Sequence, residues 1–203
     1  MKQRIEEAKK ILLDNRKNGY TLPTNNKLYP AQWNWDSAFI ALGYSYFNLD
    51  YALEEIETLL AGQWDDGMVP HILFHDNDTT YFPNHTTWKC GKNIPSSGIT
   101  QPPVIASILK IILGNQQINE GQNNRVVQII KKIKKYHDWF IKFRDPNKTG
   151  LISILHPWES GYDNSPIWDV PMSNINVDKE LHYQRRDLEV SNSDERPLKK
   201  DYD

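Results

Sequence analysis

The stretch "NNRVVQIIKKIKKYHDWFIKFRD", residues 123–145, constrains the fold more than any other part of the sequence. Val126, Ile129, Ile130, Ile133, Trp139 and Phe140 recur mostly three or four apart, with lysines between them. That spacing predicts a long helix with one apolar face. Such a face has to be covered, and the rest of the chain offers further helices to cover it. Residues 2–18 carry Ile5, Ala8, Ile11 and Leu12 at helical spacing. "AQWNWDSAFIALGYSYF" predicts a buried helix from about Asp36 or Ser37. Asp50 is placed to cap the next, whose apolar face is Leu53, Ile56, Leu59 and Leu60. Pro102 and Pro103 suit the first turn of a helix that runs through "VIASILKIILGN" to about Gly114. "DPNKTG" is a turn, and "LISIL" after it reads as a short extended segment.

The helices therefore come in pairs, and the pairs are separated by long aperiodic stretches: residues 19–30, 64–100 and those from 156 onward. Loops of more than about a dozen residues inside a compact domain are commonly functional. Length and chemistry exclude several classes. With 203 residues and 38% hydrophobic content, the chain is expected to be one globular domain without an internal linker. A formal net charge of -2 gives no field to recruit nucleic acid or a membrane surface. No apolar run has the length of a membrane span, and "MKQRIEEAKK" lacks the apolar core of a secretion signal. The single cysteine, Cys90, excludes an internal disulfide and suits a reducing compartment, so a cytoplasmic location is expected. The lysines of "KKIKK" read as the solvated face of the long helix.

The loops hold the unusual residues. Of the seven tryptophans, Trp33, Trp35, Trp64, Trp88, Trp158 and Trp168 lie outside the amphipathic patterns or at their edges. Most have an acid close by: Trp35 precedes Asp36, Trp64 precedes Asp65, Trp158 precedes Glu159 and Trp168 precedes Asp169. Any one loop tryptophan can simply close the core over a helix end. A set of them beside carboxylates also suits a sugar ring, which presents apolar C–H faces and a polar rim. Glycosidic cleavage uses a pair of carboxyl groups, and an aromatic, poorly hydrated pocket keeps the acid member protonated. The segment "HPWESGYDNSPIWD", residues 156–169, supplies both acid and aromatic wall. Within it, Glu159 reads as a cap or loop tether and Asp163 as the catalytic candidate. "HILFH" spaces His71 and His75 like a zinc helix, but it lacks the glutamate of the protease motif and lies beside Pro70. Neither a metal nor a cofactor is expected, and no glycine-rich phosphate loop is present.

Four motifs in order, "QWNWDSAF", "DDGMVPHILF", "SSGITQPP" and "HPWESGYDNSPIWD", resemble the clan of inverting glycosidases that includes trehalase and the family 63 glucosidases. The likeness is closest to the mannosylglycerate and glucosylglycerate hydrolases, and it covers about residues 20–203. It implies an all-α fold, the (α/α)6 toroid, in which six helical hairpins surround a loop-lined pocket. It implies that Asp163 is the general acid. It also implies that Tyr29, Trp33, Trp35 and Asp36 line the subsite for the cleaved sugar, with Gln101 and Trp158 as further sugar contacts. For enzymes that take glyceric-acid glycosides, His71, Tyr81, Arg196 and Tyr202 stand as candidates to hold the small carboxylate. The guanidinium fork of Arg196 matches such a group, and an exposed salt bridge is its other reading.

The sequence departs from the family in one respect. An inverting mechanism needs a base opposite the acid, with the two carboxyls roughly 6.5–9.5 Å apart. The resemblance places that base on a glutamate of the C-terminal half, and "LKKDYD" ends the sequence before any such region. Residues 1–203 are therefore expected to be the N-terminal part of one catalytic domain, an incomplete half-toroid. Such a part would be inactive alone, and would associate with a complementing C-terminal half or with itself. The expected substrate is a small glycoside, mannosylglycerate or glucosylglycerate, with trehalase or α-glucosidase activity as the variant within the class. A sugar-binding remnant without catalysis is the alternative of a different class.

Overall fold

A computed structural model of the chain describes residues 2–24, 28–76, 78–163, 165–176, 182–189 and 193–196. It is mostly helical. The helices are α1 (Lys2–Asp14), α2 (Asn34–Ser45), α3 (Leu49–Ala61), α4 (His85–Trp88), α5 (Ile105–Asn115), α6 (Glu120–Arg144) and α7 (Asp169–Met172). Two short strands, β1 (Gln32–Trp33) and β2 (Ile72–Leu73), form an antiparallel pair in which Gln32 faces Leu73 and Trp33 faces Ile72.

α6 is the long helix that the periodicity predicts. A capping box starts it: the Asn119 side chain accepts from the Gln122 amide at 2.9 Å, and the Gln122 side chain accepts from the Asn119 amide at 3.1 Å. Lys142 and Arg144 close its last turn, where the helix dipole favours cations. Val126, Ile129, Ile133, Trp139 and Phe140 are buried, whereas Ile130 is exposed, so the buried stripe is narrower than the apolar spacing suggests. Leu53, Ile56, Leu59 and Leu60 of α3 meet that stripe in the main core, together with Ala38 and Ala41 of α2 and Ile105, Ile108, Leu109 and Ile112 of α5. α2 lies at the centre, against both α3 and α5.

Several element boundaries differ from the sequence reading. α3 is capped by Asn48, whose side chain accepts from the Tyr51 amide at 3.1 Å; Asp50 instead pairs with Arg125 of α6 at 2.8 Å. α2 starts at Asn34, two residues earlier than expected, and so takes in Trp35. α1 stops at Asp14, where an Arg16–Thr21 bridge folds the chain back; only Leu12 of its predicted face packs on the core, and Ile5 and Ile11 are exposed. Pro102 and Pro103 precede α5 rather than forming its first turn. "LISIL" forms no strand; Leu151 and Leu155 are exposed, and the Ser153 amide reaches the Arg144 carbonyl at 2.7 Å.

The stretch 64–100 is less irregular than its composition. β2 takes β1 on one edge and residues 95–99 on the other. The Phe74 amide donates to the Pro95 carbonyl at 2.9 Å, the Ser97 amide to Ile72 at 3.0 Å, and the His71 amide to Ile99 at 2.7 Å. Buried backbone groups must find partners, and here the strand and loop carbonyls provide them. His71 and His75 therefore flank a strand, not a helix, and do not share a helical face. Among the described residues no cluster of His, Cys, Asp and Glu is arranged to hold a metal. No helix of the described residues is long and apolar enough to cross a membrane.

Candidate active site

One tyrosine of α6 gathers the segments that carry the site. The Tyr136 hydroxyl receives the Asn34 side-chain amide at 3.2 Å, donates to the Gln101 carbonyl at 2.9 Å and meets Thr100 Oγ1 at 2.5 Å. Asn34 also donates to the Val69 and Pro70 carbonyls, both at 3.2 Å. The start of α2, residues 69–71 and residues 100–101 are thus locked onto one buried ring. Gln101 completes the lock: its Oε1 accepts the Trp35 amide at 3.1 Å, which satisfies a free N–H in the first turn of α2.

An aromatic wall grows from this frame. Trp33 is buried on β1 and meets Tyr29 edge-on at 5.1 Å, Tyr81 at 5.4 Å and His71 at 6.4 Å between ring centres. His71 leans on Trp158 at 5.7 Å, and Trp158 meets His156 at 4.9 Å. Burial, with the charge of His156 as a lesser cause, pushes His71 down to about 3, so its ring is neutral. Its Nδ1 is buried and makes no hydrogen bond among the described residues.

The segment 156–163 is pinned by its glutamate. Glu159 Oε1 pairs with Arg144 at 2.5 Å and accepts the Thr100 amide at 3.3 Å, while Oε2 accepts the Leu155 amide at 2.8 Å. The tether reading of Glu159 holds. A left-handed turn follows at Gly161, where φ is 72°, and a Cβ added there would lie 2.5 Å from Trp35 Cη2. Only glycine lets the turn press against that indole. Asp163 follows two residues on.

Asp163 feels the charge of Asp36. Burial lifts Asp36, in the first turn of α2, to about 6 against the pull of a backbone hydrogen bond. Burial also lifts Asp163 to about 6, and the Asp36 charge adds to it. Asp163 keeps a solvent-exposed surface, yet protein crowds its remaining sides and disfavours its anion.

Arg196 reaches the wall from the far end of the chain. Its Nη2 donates to the Tyr29 hydroxyl at 2.9 Å, and its Nε faces Asp187 Oδ2 at 3.5 Å. Asp187 also binds Arg185 at 2.6 Å. Burial alone would raise Asp187, but the two arginines outweigh it and hold the carboxyl below its ordinary range. Residues 182–189 rest on the loop that carries Tyr81: Phe82 and Tyr183 stack at 4.0 Å, and Arg186 bonds Thr80.

The structure thus gathers Tyr29, Trp33, Trp35, Asp36, His71, Tyr81, Gln101, Trp158, Asp163 and Arg196 into one neighbourhood. Tyr202 lies outside the described residues. The sequence reading passed over His156, which opens the motif and flanks Trp158, and Asp187, which "QRRDLE" hid in what looked like a charged tail.

Residues 29–203 match the family described as the mannosylglycerate hydrolase MGH1-like glycoside hydrolase domain. Mannosylglycerate hydrolase MGH2 of Selaginella moellendorffii is 42% identical over 99% of this chain and 41% of its own length. The mannosylglycerate hydrolase of Thermus thermophilus is 42% identical over 97% of this chain and 48% of its own. The crystal structure of the GH63 mannosylglycerate hydrolase from Thermus thermophilus in complex with Tris and D-glycerate superposes with a TM-score of 0.90 at 42% identity, covering 97% of this chain and 47% of that one. The same enzyme in complex with glucose gives 0.82 at 41% identity, covering 98% and 48%. The chain spans about half the length of the relatives it matches.

Proposed function

The chain belongs to the mannosylglycerate hydrolase MGH1-like glycoside hydrolase family, and on that premise we propose that it carries the acid side and the sugar wall of an inverting hydrolase for a small glycoside such as mannosylglycerate or glucosylglycerate. The observation that carries this reading is Asp163, which follows the Gly161 turn packed on the Trp35 indole at the edge of the aromatic wall, with burial and the Asp36 charge both disfavouring its anion. Trp33, Trp35 and Trp158 face the C–H surfaces of a hexose. Asp36 and Gln101 take its hydroxyls. Asp163 Oδ–H gives its proton to the glycosidic oxygen as the bond from that oxygen to the anomeric carbon breaks. Water adds to the anomeric carbon from the opposite face and yields its proton to a base.

In this reading the base is a glutamate from a complementary half, and the two halves close an (α/α)6 toroid around the site. Arg196 and the Tyr29 hydroxyl receive a carboxylate on the leaving group, joined by Tyr81 and neutral His71. The structure of the Thermus thermophilus relative with D-glycerate supports a carboxylate-bearing aglycone. Its complex with glucose supports a hexose subsite.

Hydrolysis assays with mannosylglycerate and glucosylglycerate test the reading. The 203-residue chain alone should bind without turnover, and supplying the second half of the family domain should give turnover. Hydrolysis by the chain alone would remove the need for an outside base. Full activity of the completed enzyme with Asp163→Asn would remove Asp163 as the acid.

A further inference from the structure

Beneath the sugar wall lies a buried carboxyl that the proposed chemistry does not use. Glu55 of α3 is fully buried. Its Oε1 accepts Ser37 Oγ at 2.7 Å and Gln32 Nε2 at 3.1 Å. Ser37 is next to Asp36 in the first turn of α2, and Gln32 is next to Trp33 on β1. Gln32 also donates to the Glu55 carbonyl at 3.2 Å, and its Oε1 takes His75 Nε2 at 2.7 Å. One side chain therefore holds both segments that present the wall.

The other oxygen of Glu55 raises a question of hydrogens. Oε2 lies 2.8 Å from Thr21 Oγ1, which lies 3.0 Å from the Tyr44 hydroxyl, which lies 2.8 Å from the Leu12 carbonyl. A carbonyl only accepts, so Tyr44 must spend its hydrogen on Leu12. When Thr21 gives its own to Tyr44, the contact between Thr21 and Glu55 takes its hydrogen from a neutral carboxyl. A neutral Glu55 then gives each of the three contacts one hydrogen, all running in one direction.

We propose that Glu55 is a proton-dependent positioning residue: its neutral carboxyl, donating to Thr21, clamps β1 and the first turn of α2, and thereby sets Trp33 and Asp36. The consequence for sugar binding rests on the reading of Trp33 and Asp36 given above; the proton itself does not. The surroundings agree. Arg16 pairs with Glu54 and lies over the Tyr44 and Tyr51 rings. Tyr20, packed alongside on His75, gives its hydroxyl hydrogen to Asp76 at 3.0 Å. Burial holds His75 below its ordinary range against the pull of Asp76, so it adds little positive charge. Burial lifts Glu55 itself to about 6, although Ser37, Gln32, the Thr21 hydroxyl and the Thr21 backbone N–H would, as donors, favour its anion.

The test is a titration of carboxyl carbon resonances in the 203-residue chain, read together with the indole N–H of Trp33. The Glu55 carboxyl should change between pH 5 and 7, and the Trp33 indole should follow it with the same midpoint. That coupling should persist when Asp36 and Asp163 are both changed to asparagine and vanish in Glu55→Gln. A glutamine amide donates to Thr21 as the neutral acid does, so Glu55→Gln should melt above the native chain at pH 8 and level with it at pH 4.5. A raised folded pKa works in that sense: the stabilisation is complete below the ordinary glutamate range and is lost as the pH climbs through about 6. A Glu55 carboxyl that titrates near 4, or a Glu55→Gln chain that melts lower at pH 8, would overturn the proposal. Failure to bind sugar at any pH would sink the glycosidase reading and leave this result standing.

Discussion

Arg144 and Glu159 meet at 2.5 Å with side chains only 6% and 1% exposed. The pair joins the end of α6 to the segment that carries Trp158 and Asp163. A buried ion pair adds little over a well-filled apolar core, but removing one partner strands the other charge. Glu159→Ala should therefore cost about 3–5 kcal/mol. Thermal melts measure this, and the double change Arg144→Met with Glu159→Leu should recover only the part due to the stranded charge, because the Thr100 and Leu155 amides stay without their acceptor. A single variant within about 0.5 kcal/mol of the native chain would show that the pair does not carry the segment.

Asp163 should be separable from binding. In the complete enzyme, Asp163→Asn should lower kcat by about 10²–10⁴, the usual worth of a positioned acid, and leave KM within a few-fold. Since burial and Asp36 lift Asp163 to about 6, its acid form is lost as the pH rises through that value, and kcat should fall on the alkaline side. Asp36→Asn removes the neighbouring charge, so that limb should move to lower pH. A limb that stays in place would show that Asp36 does not tune the acid.

Gly161→Ala tests how the turn seats against Trp35. The added Cβ meets the indole at 2.5 Å and has to adopt φ of 72°. A loss of about 1–3 kcal/mol is expected, the general cost of a strained left-handed residue. Indole fluorescence should report a displaced Trp35, and sugar affinity should drop with it. A variant with native melting and native fluorescence would contradict the close approach.

Asp187 offers a specificity test. It holds Arg196 through Nε while Arg196 Nη2 bonds Tyr29. Asp187→Asn should loosen that geometry, so affinity for D-glycerate should fall about tenfold, the size of one charge-assisted hydrogen bond, with glucose affinity unchanged. Calorimetry with the two ligands separates the cases. An equal fall for both would point to general disorder of the segment rather than to Arg196.

Helical periodicity carried the frame, because the apolar positions of α3, α5 and α6 are set by burial and burial is what they report. It could not give the small sheet. Ile72 and Leu73 form a strand of two residues, too short for alternation to register, and loop carbonyls complete it. Asn48 displaced Asp50 as a cap because the first turn could start two residues earlier, and sequence cannot choose between two good caps. The candidate residues Asp163, Trp33 and Asp36 were legible through their motifs. Gln101 was legible as a name but not as a role: that its side chain caps α2 depends on a contact between positions 35 and 101. Glu55 could not be seen at all, since a glutamate on a helix reads as surface until the fold closes over it.

Tyr136 also sets a schedule for synthesis. Asn34 is synthesised roughly a hundred residues before Tyr136, and at about 5–20 residues per second that is a wait on the order of 5–20 seconds. Through that interval Trp33 and Trp35 belong to a nascent chain whose keystone has not been made. The two indoles are then bare apolar surface of the kind that chaperones recognise. Slowing translation between residues 36 and 136 should lengthen that exposure without altering a single native contact.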